Sequence, residues 1–109
     1  MRRTAALTVF VLLIACAALE AQKKKDVSEV TIANRKFTPA RITITVGGAV
    51  KWINQDNFDH TIDAKDNSFS SGTIKSGKSY EHTFNKPGEF PYECSLHPRM
   101  KGTVVVAKK

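Results

Sequence analysis

Arg41-Ile42-Thr43-Ile44-Thr45-Val46-Gly47-Gly48-Ala49-Val50-Lys51-Trp52-Ile53-Asn54 decides the architecture. In an extended chain successive side chains point to opposite faces. Ile42, Ile44 and Val46 therefore share one face, and Thr43 and Thr45 the other. Gly47-Gly48 is a tight turn. Val50 and Trp52 then begin a second alternating run on Ala49 to Asn54. Two short β-branched runs around a glycine pair predict strands, each with one face buried against a second sheet.

The same reading extends in both directions. Upstream, Val27 to Ala33 places Val30 and Ile32 on one side, and Phe37-Thr38-Pro39 breaks the run. Downstream, Gln55 to Asp59 is polar and loop-like, and Thr61-Ile62 is a short strand. Ser79 to Phe84 sets Tyr80, His82 and Phe84 on one face. Asn85-Lys86-Pro87-Gly88 is a strong turn signal. Glu89 to Cys94 and Thr103 to Ala107 complete the series. No run has helical period over a useful length, and no internal repeat is present. Seven to eight short strands with frequent turns predict an all-β antiparallel sandwich or barrel.

The first residues belong to targeting rather than to the fold. Arg2 and Arg3 precede an apolar run from Ala5 to Ala18 that only Thr8 interrupts. That is shorter than the roughly 18 residues a spanning helix needs, and it has the build of a secretory signal peptide. Cleavage after Ala21 assigns residues 1–21 to the signal and 22–109 to one domain; the small-residue run Ala15-Cys16-Ala17 is a second place for it. Leu13-Ile14-Ala15-Cys16 also resembles a bacterial lipoprotein signal, in which Cys16 would carry lipid. Each reading exports the folded part, to the periplasm or beyond, and only the lipoprotein reading tethers it to a membrane.

Charge and cysteine usage narrow the function. Removing Arg2, Arg3 and Glu20 from 17 basic and 10 acidic residues leaves 15 and 9, a net charge of +6. The basic residues are scattered apart from Lys23-Lys24-Lys25 and Lys108-Lys109. That pattern suits solvated termini or steering towards an acidic partner. Without a basic stripe interleaved with aromatics, nucleic acid is not expected as a partner. Of the two cysteines, Cys16 lies in the signal, so Cys94 is alone in an oxidising compartment. A domain this small usually needs a staple. A metal would occupy the thiol and supply that staple.

Tyr92-Glu93-Cys94-Ser95-Leu96-His97-Pro98-Arg99-Met100 carries the chemistry. Thiol, imidazole and thioether recur three residues apart on one loop between two predicted strands, and His60 follows a separate polar loop. Thiolate and thioether suit Cu(I), and imidazole suits both Cu(I) and Cu(II). Two histidines and a cysteine with a weak axial methionine form the donor set of blue-copper electron-transfer sites. Zinc prefers several thiolates or imidazoles, and Met100 argues against it. Copper enzymes need an open position or a second centre, which His82 cannot build alone. A copper carrier that delivers its ion is the alternative to electron transfer, but carriers favour methionine-rich or histidine-rich clusters, and this mature chain has one methionine.

Cys94-x-x-His97-x-x-Met100 resembles the copper loop of the cupredoxins, its two short gaps being closest to the amicyanin type. The resemblance extends through Val30-Thr31-Ile32, Lys36-Phe37-x-Pro39, Val50-Lys51-Trp52-Ile53-Asn54, Thr83-Phe84, Pro87-Gly88 and Tyr92-x-Cys94. It implies a Greek-key antiparallel β-sandwich with one copper ion on His60, Cys94, His97 and Met100. It further implies a monomer that is not an enzyme, cycles between Cu(I) and Cu(II), and docks transiently near His97. Its partners would be exported redox proteins, such as a c-type cytochrome or a dehydrogenase. Leu96, Pro98, Pro39 and Phe58 are the candidates for an apolar rim around His97. One departure concerns the residue after the first ligand histidine, often asparagine in these families and here Thr61. Asp59 is a candidate for orienting a neighbour of His60, though an exposed carboxylate is its simpler reading. His82 is expected to face the core or its edge.

Overall fold

A computed structural model describes residues 25–109; the signal peptide expected over residues 1–21 and the lipidation expected as an alternative at Cys16 fall outside these residues. The strands are β1 (Val27–Ala33), β2 (Lys36–Thr38), β3 (Arg41–Thr45), β4 (Ala49–Asn54), β5 (Asp63–Ala64), β6 (Ser79–Thr83), β7 (Gly88–Glu93) and β8 (Lys101–Ala107). They form two four-stranded sheets, ordered β2-β1-β4-β6 and β3-β8-β7-β5. The alternation in β3 and β4 falls as the sequence predicts. Ile44, Val50 and Trp52 are buried and Thr43 and Thr45 are exposed.

Gly47-Gly48 does turn the chain, but not into a hairpin. The Gly48 amide donates to the Thr45 carbonyl at 3.0 Å, with Gly47 at φ 93°. A positive φ at this position suits glycine, which carries no Cβ to clash. The turn lifts the chain from the sheet of β3 into that of β4. Such crossings explain a difference from the expected antiparallel sandwich. β1 with β2, β4 with β6, β5 with β7 and β7 with β8 are antiparallel. β1 with β4 and β3 with β8 are parallel, because the chain visits the opposite layer between them.

Two local expectations shift. Phe37-Thr38 extends the pairing instead of breaking it: β2 folds back on β1, with Ile32 opposite Phe37. Asn34 and Arg35 make that reversal at φ 53° and 55°, the pair of positive values a two-residue hairpin of type I′ requires. Thr61-Ile62 is not a strand. The Thr61 amide donates to Cys94 Sγ at 3.3 Å and the Ile62 amide to Ser71 Oγ at 2.8 Å, so between an isolated bridge of His60 with Ile74 and the start of β5 at Asp63 no continuous ladder forms.

Both sheets bury their inner faces in one core that includes Val30, Ile32, Ile44, Val50, Trp52, Val104 and Val106. Each such side chain contributes roughly 1.5–3 kcal/mol by leaving water. Aromatic rings fill the middle. Trp52 stacks between Phe69 and Tyr80 at 5.9 and 5.7 Å, and meets Tyr92 edge-on at 5.3 Å. Tyr92 stands opposite Gly102 across the ladder, where any Cβ would strike the phenol ring. The phenol is pushed up to about 12 by burial.

Candidate metal centre

The site lies where β4 and β7 end and β5 and β8 begin. Asn54, the last residue of β4, organises the first loop. Its Nδ2 donates to the Phe58 and Ile74 carbonyls, both at 2.8 Å, and its Oδ1 accepts from the Asp56 amide at 2.9 Å. Asp56 Oδ1 accepts the Asn34 amide at 2.7 Å and Oδ2 the Arg35 amide at 2.9 Å. Asp56 Oδ2 also pairs with His60 Nε2 at 2.8 Å. Burial opposes ionisation of Asp56, but these hydrogen bonds outweigh it and hold the carboxyl below its usual range. His60 itself is fully buried. With Nε2–H donated to Asp56, its Nδ1 lone pair faces Cys94 Sγ at 3.7 Å.

The second loop is tied to itself. The Cys94 amide donates to the Met100 carbonyl at 3.1 Å, and the Met100 amide to the His97 carbonyl at 2.9 Å. The His97 amide donates back to the Cys94 carbonyl at 3.3 Å. These bonds bring His97 Nδ1 within 3.9 Å of Cys94 Sγ, and Met100 is buried beside them. One donor atom each from His60, Cys94 and His97 lies within 4.8 Å of the other two. The two rings sit 4.9 Å apart between centroids. Thiol and two imidazoles thus converge on one point, with a buried thioether on the same loop.

That donor set fits copper on its chemistry, soft sulfur beside imidazole. A model of the cupredoxin-like domain matches residues 5–106. Amicyanin-alpha of Methylorubrum extorquens is 35% identical over 100 residues, covering 85% of this chain and 84% of its own. Among solved structures, a purple cupredoxin from Nitrosopumilus maritimus superposes with a TM-score of 0.71 at 29% identity, covering 73% of this chain and 99% of its own. A Cu(I) form of an amicyanin variant gives the same score, also at 29% identity, over 80% of this chain and 88% of its own.

This chain belongs to the cupredoxin family.

The cupredoxin's second loop reaches the surface only at its middle. His97 is half-buried, whereas His60, Cys94 and Met100 are buried. A surface cavity of about 450 Å³ is lined by Arg35, Leu96, His97, Pro98, Arg99 and Met100. Leu96 and Pro98 therefore stand where the sequence places them. Phe58, 48% exposed, lies on the neighbouring loop with the Arg35 guanidinium 4.5 Å above its ring. Pro39 does not line the cavity. Arg35 and Arg99, which carry no signal of their own in the sequence, do.

Three other side chains take definite places. Asp59 is exposed, and the carboxylate that orients His60 is Asp56. An acid four residues before a histidine is too common to be singled out from sequence. His82 stacks on Phe69 at 4.7 Å and meets Phe84 edge-on at 4.8 Å, on the core edge and outside the cluster. Thr61 both donates and accepts. Its Oγ1 donates to Asp63 Oδ2 at 2.6 Å and accepts the Ser95 amide at 2.8 Å, so it braces the loop after Cys94.

Proposed function

We propose that this cupredoxin carries single electrons between exported redox proteins, with one copper ion held by His60, Cys94, His97 and Met100. The convergence of His60 Nδ1, His97 Nδ1 and Cys94 Sγ carries the reading. Bound there, copper would supply a one-electron Cu(I)/Cu(II) couple. Asp56 fixes which nitrogen His60 offers, and the loop hydrogen bonds fix Cys94, His97 and Met100 in place, so the protein has little to rearrange when the charge changes. His97 is the donor that reaches the surface, which makes the Leu96–Pro98 face the point of electron entry and exit. A partner such as a c-type cytochrome or a dehydrogenase would dock there briefly, across a small interface of roughly 1,200 Å² or less. The domain acts as a monomer and as a carrier, not an enzyme: the third histidine, His82, lies in the aromatic layer and adds no second centre.

The visible spectrum of the copper-loaded protein during reductive titration tests this. An intense blue band should bleach, then return on reoxidation with the copper still bound. A pale spectrum, or copper lost on reduction, would overturn electron transfer in favour of copper delivery. Cys94→Ser should abolish the band, and an unchanged spectrum in that variant would remove Cys94 from the ligand set.

A further inference from the structure

We propose that Asp63 is a positioning residue of the metal centre: its carboxylate holds the Thr61 hydroxyl proton, which turns that oxygen's lone pairs towards Ser95 and keeps the proton off Cys94 Sγ. The inference rests on Cys94 being the copper thiolate.

A hydroxyl has one proton to give and two lone pairs to receive with. Thr61 Oγ1 has four polar neighbours: Asp63 Oδ2 at 2.6 Å, the Ser95 amide at 2.8 Å, Ser95 Oγ at 2.9 Å and Cys94 Sγ at 3.8 Å. The carboxylate is the nearer of the two charged acceptors, at 2.6 Å against 3.8 Å for the sulfur, its oxygen accepts more strongly than sulfur, and charge-assisted bonds of this kind are the stronger ones. The single proton therefore goes to Asp63. Both lone pairs are then free, and they accept the amide and the hydroxyl of Ser95. The sulfur keeps one short donor, the Thr61 amide at 3.3 Å.

Asp63 is itself well fixed. It pairs with Glu93 across the β5–β7 ladder, and its Oδ1 accepts Ser70 Oγ at 2.7 Å. Burial opposes its ionisation, but the hydrogen bonds from Thr61 and Ser70 prevail and hold it below the usual carboxylate range. Asp63 and Thr61 together thus brace the Cys94 loop. They also add a negative charge close to the thiolate.

Two effects follow from removing Asp63. The Thr61 hydroxyl becomes free to turn to Cys94 Sγ, and the nearby negative charge is lost. Both disfavour Cu(II) relative to Cu(I), so the reduction potential should rise.

A double-mutant cycle on the Cu(I)-loaded protein tests the arrangement. Asp63→Ala should accelerate hydrogen exchange of the Ser95 amide roughly two- to tenfold, as loss of one hydrogen bond does, and should raise the potential. In the Thr61→Val background Ser95 should already exchange fast, and adding Asp63→Ala should change it no further. Asp63→Asn keeps an acceptor for Thr61, so Ser95 protection should stay near wild type while the potential rises by less. Unchanged Ser95 exchange in Asp63→Ala, equal acceleration in both backgrounds, or a potential that fails to rise would each overturn the proposal. The exchange comparison is repeated without metal. If the chain takes up no copper, the functional reading fails by itself, and the exchange cycle still decides whether Asp63 positions Ser95 through Thr61.

Discussion

Two histidines of this protein are withdrawn from water in different ways. His60 is fully buried, and both ring nitrogens are addressed, Nε2 by Asp56 at 2.8 Å and Nδ1 by Cys94 Sγ at 3.7 Å. His82 is half-buried among Phe69, Tyr80 and Phe84, held by ring faces and edges. Burial alone therefore does not make an imidazole a ligand. A partner on the far nitrogen must fix the tautomer and the ring direction, so that the near lone pair has a target. The loop end of the sandwich is built on such directed bonds. The aromatic middle is built on shape.

If that contrast is right, damage to the two regions should separate. Trp52 is fully buried and touches Phe69, Tyr80 and Tyr92. Trp52→Ala should cost about 3–5 kcal/mol by cavity formation, read as a lower urea midpoint. The molecules that remain folded should keep their copper spectrum. Loss of copper binding in that folded fraction would show that the two regions are one unit. Asp56→Ala should act the other way round. It leaves His60 Nε2 and the Asn34 and Arg35 amides without their acceptor, at a cost of about 1–3 kcal/mol. It should also weaken copper affinity roughly 10- to 100-fold, as removal of a partner behind a ligand histidine does. Unchanged affinity in a titration of Asp56→Ala would break the comparison at its stronger end.

The parts of the molecule legible in the sequence are those governed by period and by ligand chemistry. The two-residue alternation in β3, β4 and β8 reads directly, and so does the spacing of Cys94, His97 and Met100. The site assembles because that one loop needs only a second element bearing His60. Less legible is what depends on where the chain crosses between layers. Gly47-Gly48 reads as a turn, but nothing local says that the turn changes sheets, so the parallel pairs β1·β4 and β3·β8 are invisible. The strand at Lys36–Thr38 is hidden because Asn34-Arg35 lacks the usual glycine of a two-residue hairpin. Asp56, Asp63 and Ser95 are hidden for a different reason. Each acts through a hydrogen bond whose partner is settled only by the folded loops, as with Ser95 and Thr61, 34 residues apart.

The smallest effect concerns His82, and its sign follows from burial. Burial in the aromatic layer lowers its pKa from the ordinary 6.5, so the folded protein resists a proton that the unfolded chain accepts. Above about pH 7.5 both states hold His82 neutral, and it contributes no pH dependence. As pH falls through the ordinary value, the unfolded state binds more protons and stability declines, until the lowered folded pKa is passed and the slope levels off. Every other titrating group is common to wild type and a His82→Phe variant, so the difference between the two isolates this residue. Urea midpoints measured at about pH 7.5 and about pH 5 should diverge in the variant's favour at the lower value. A difference that stays constant with pH would mean that His82 is as well hydrated as it is in the unfolded chain, and that the aromatic layer is more open than its stacking distances of 4.7 and 4.8 Å to Phe69 and Phe84 imply.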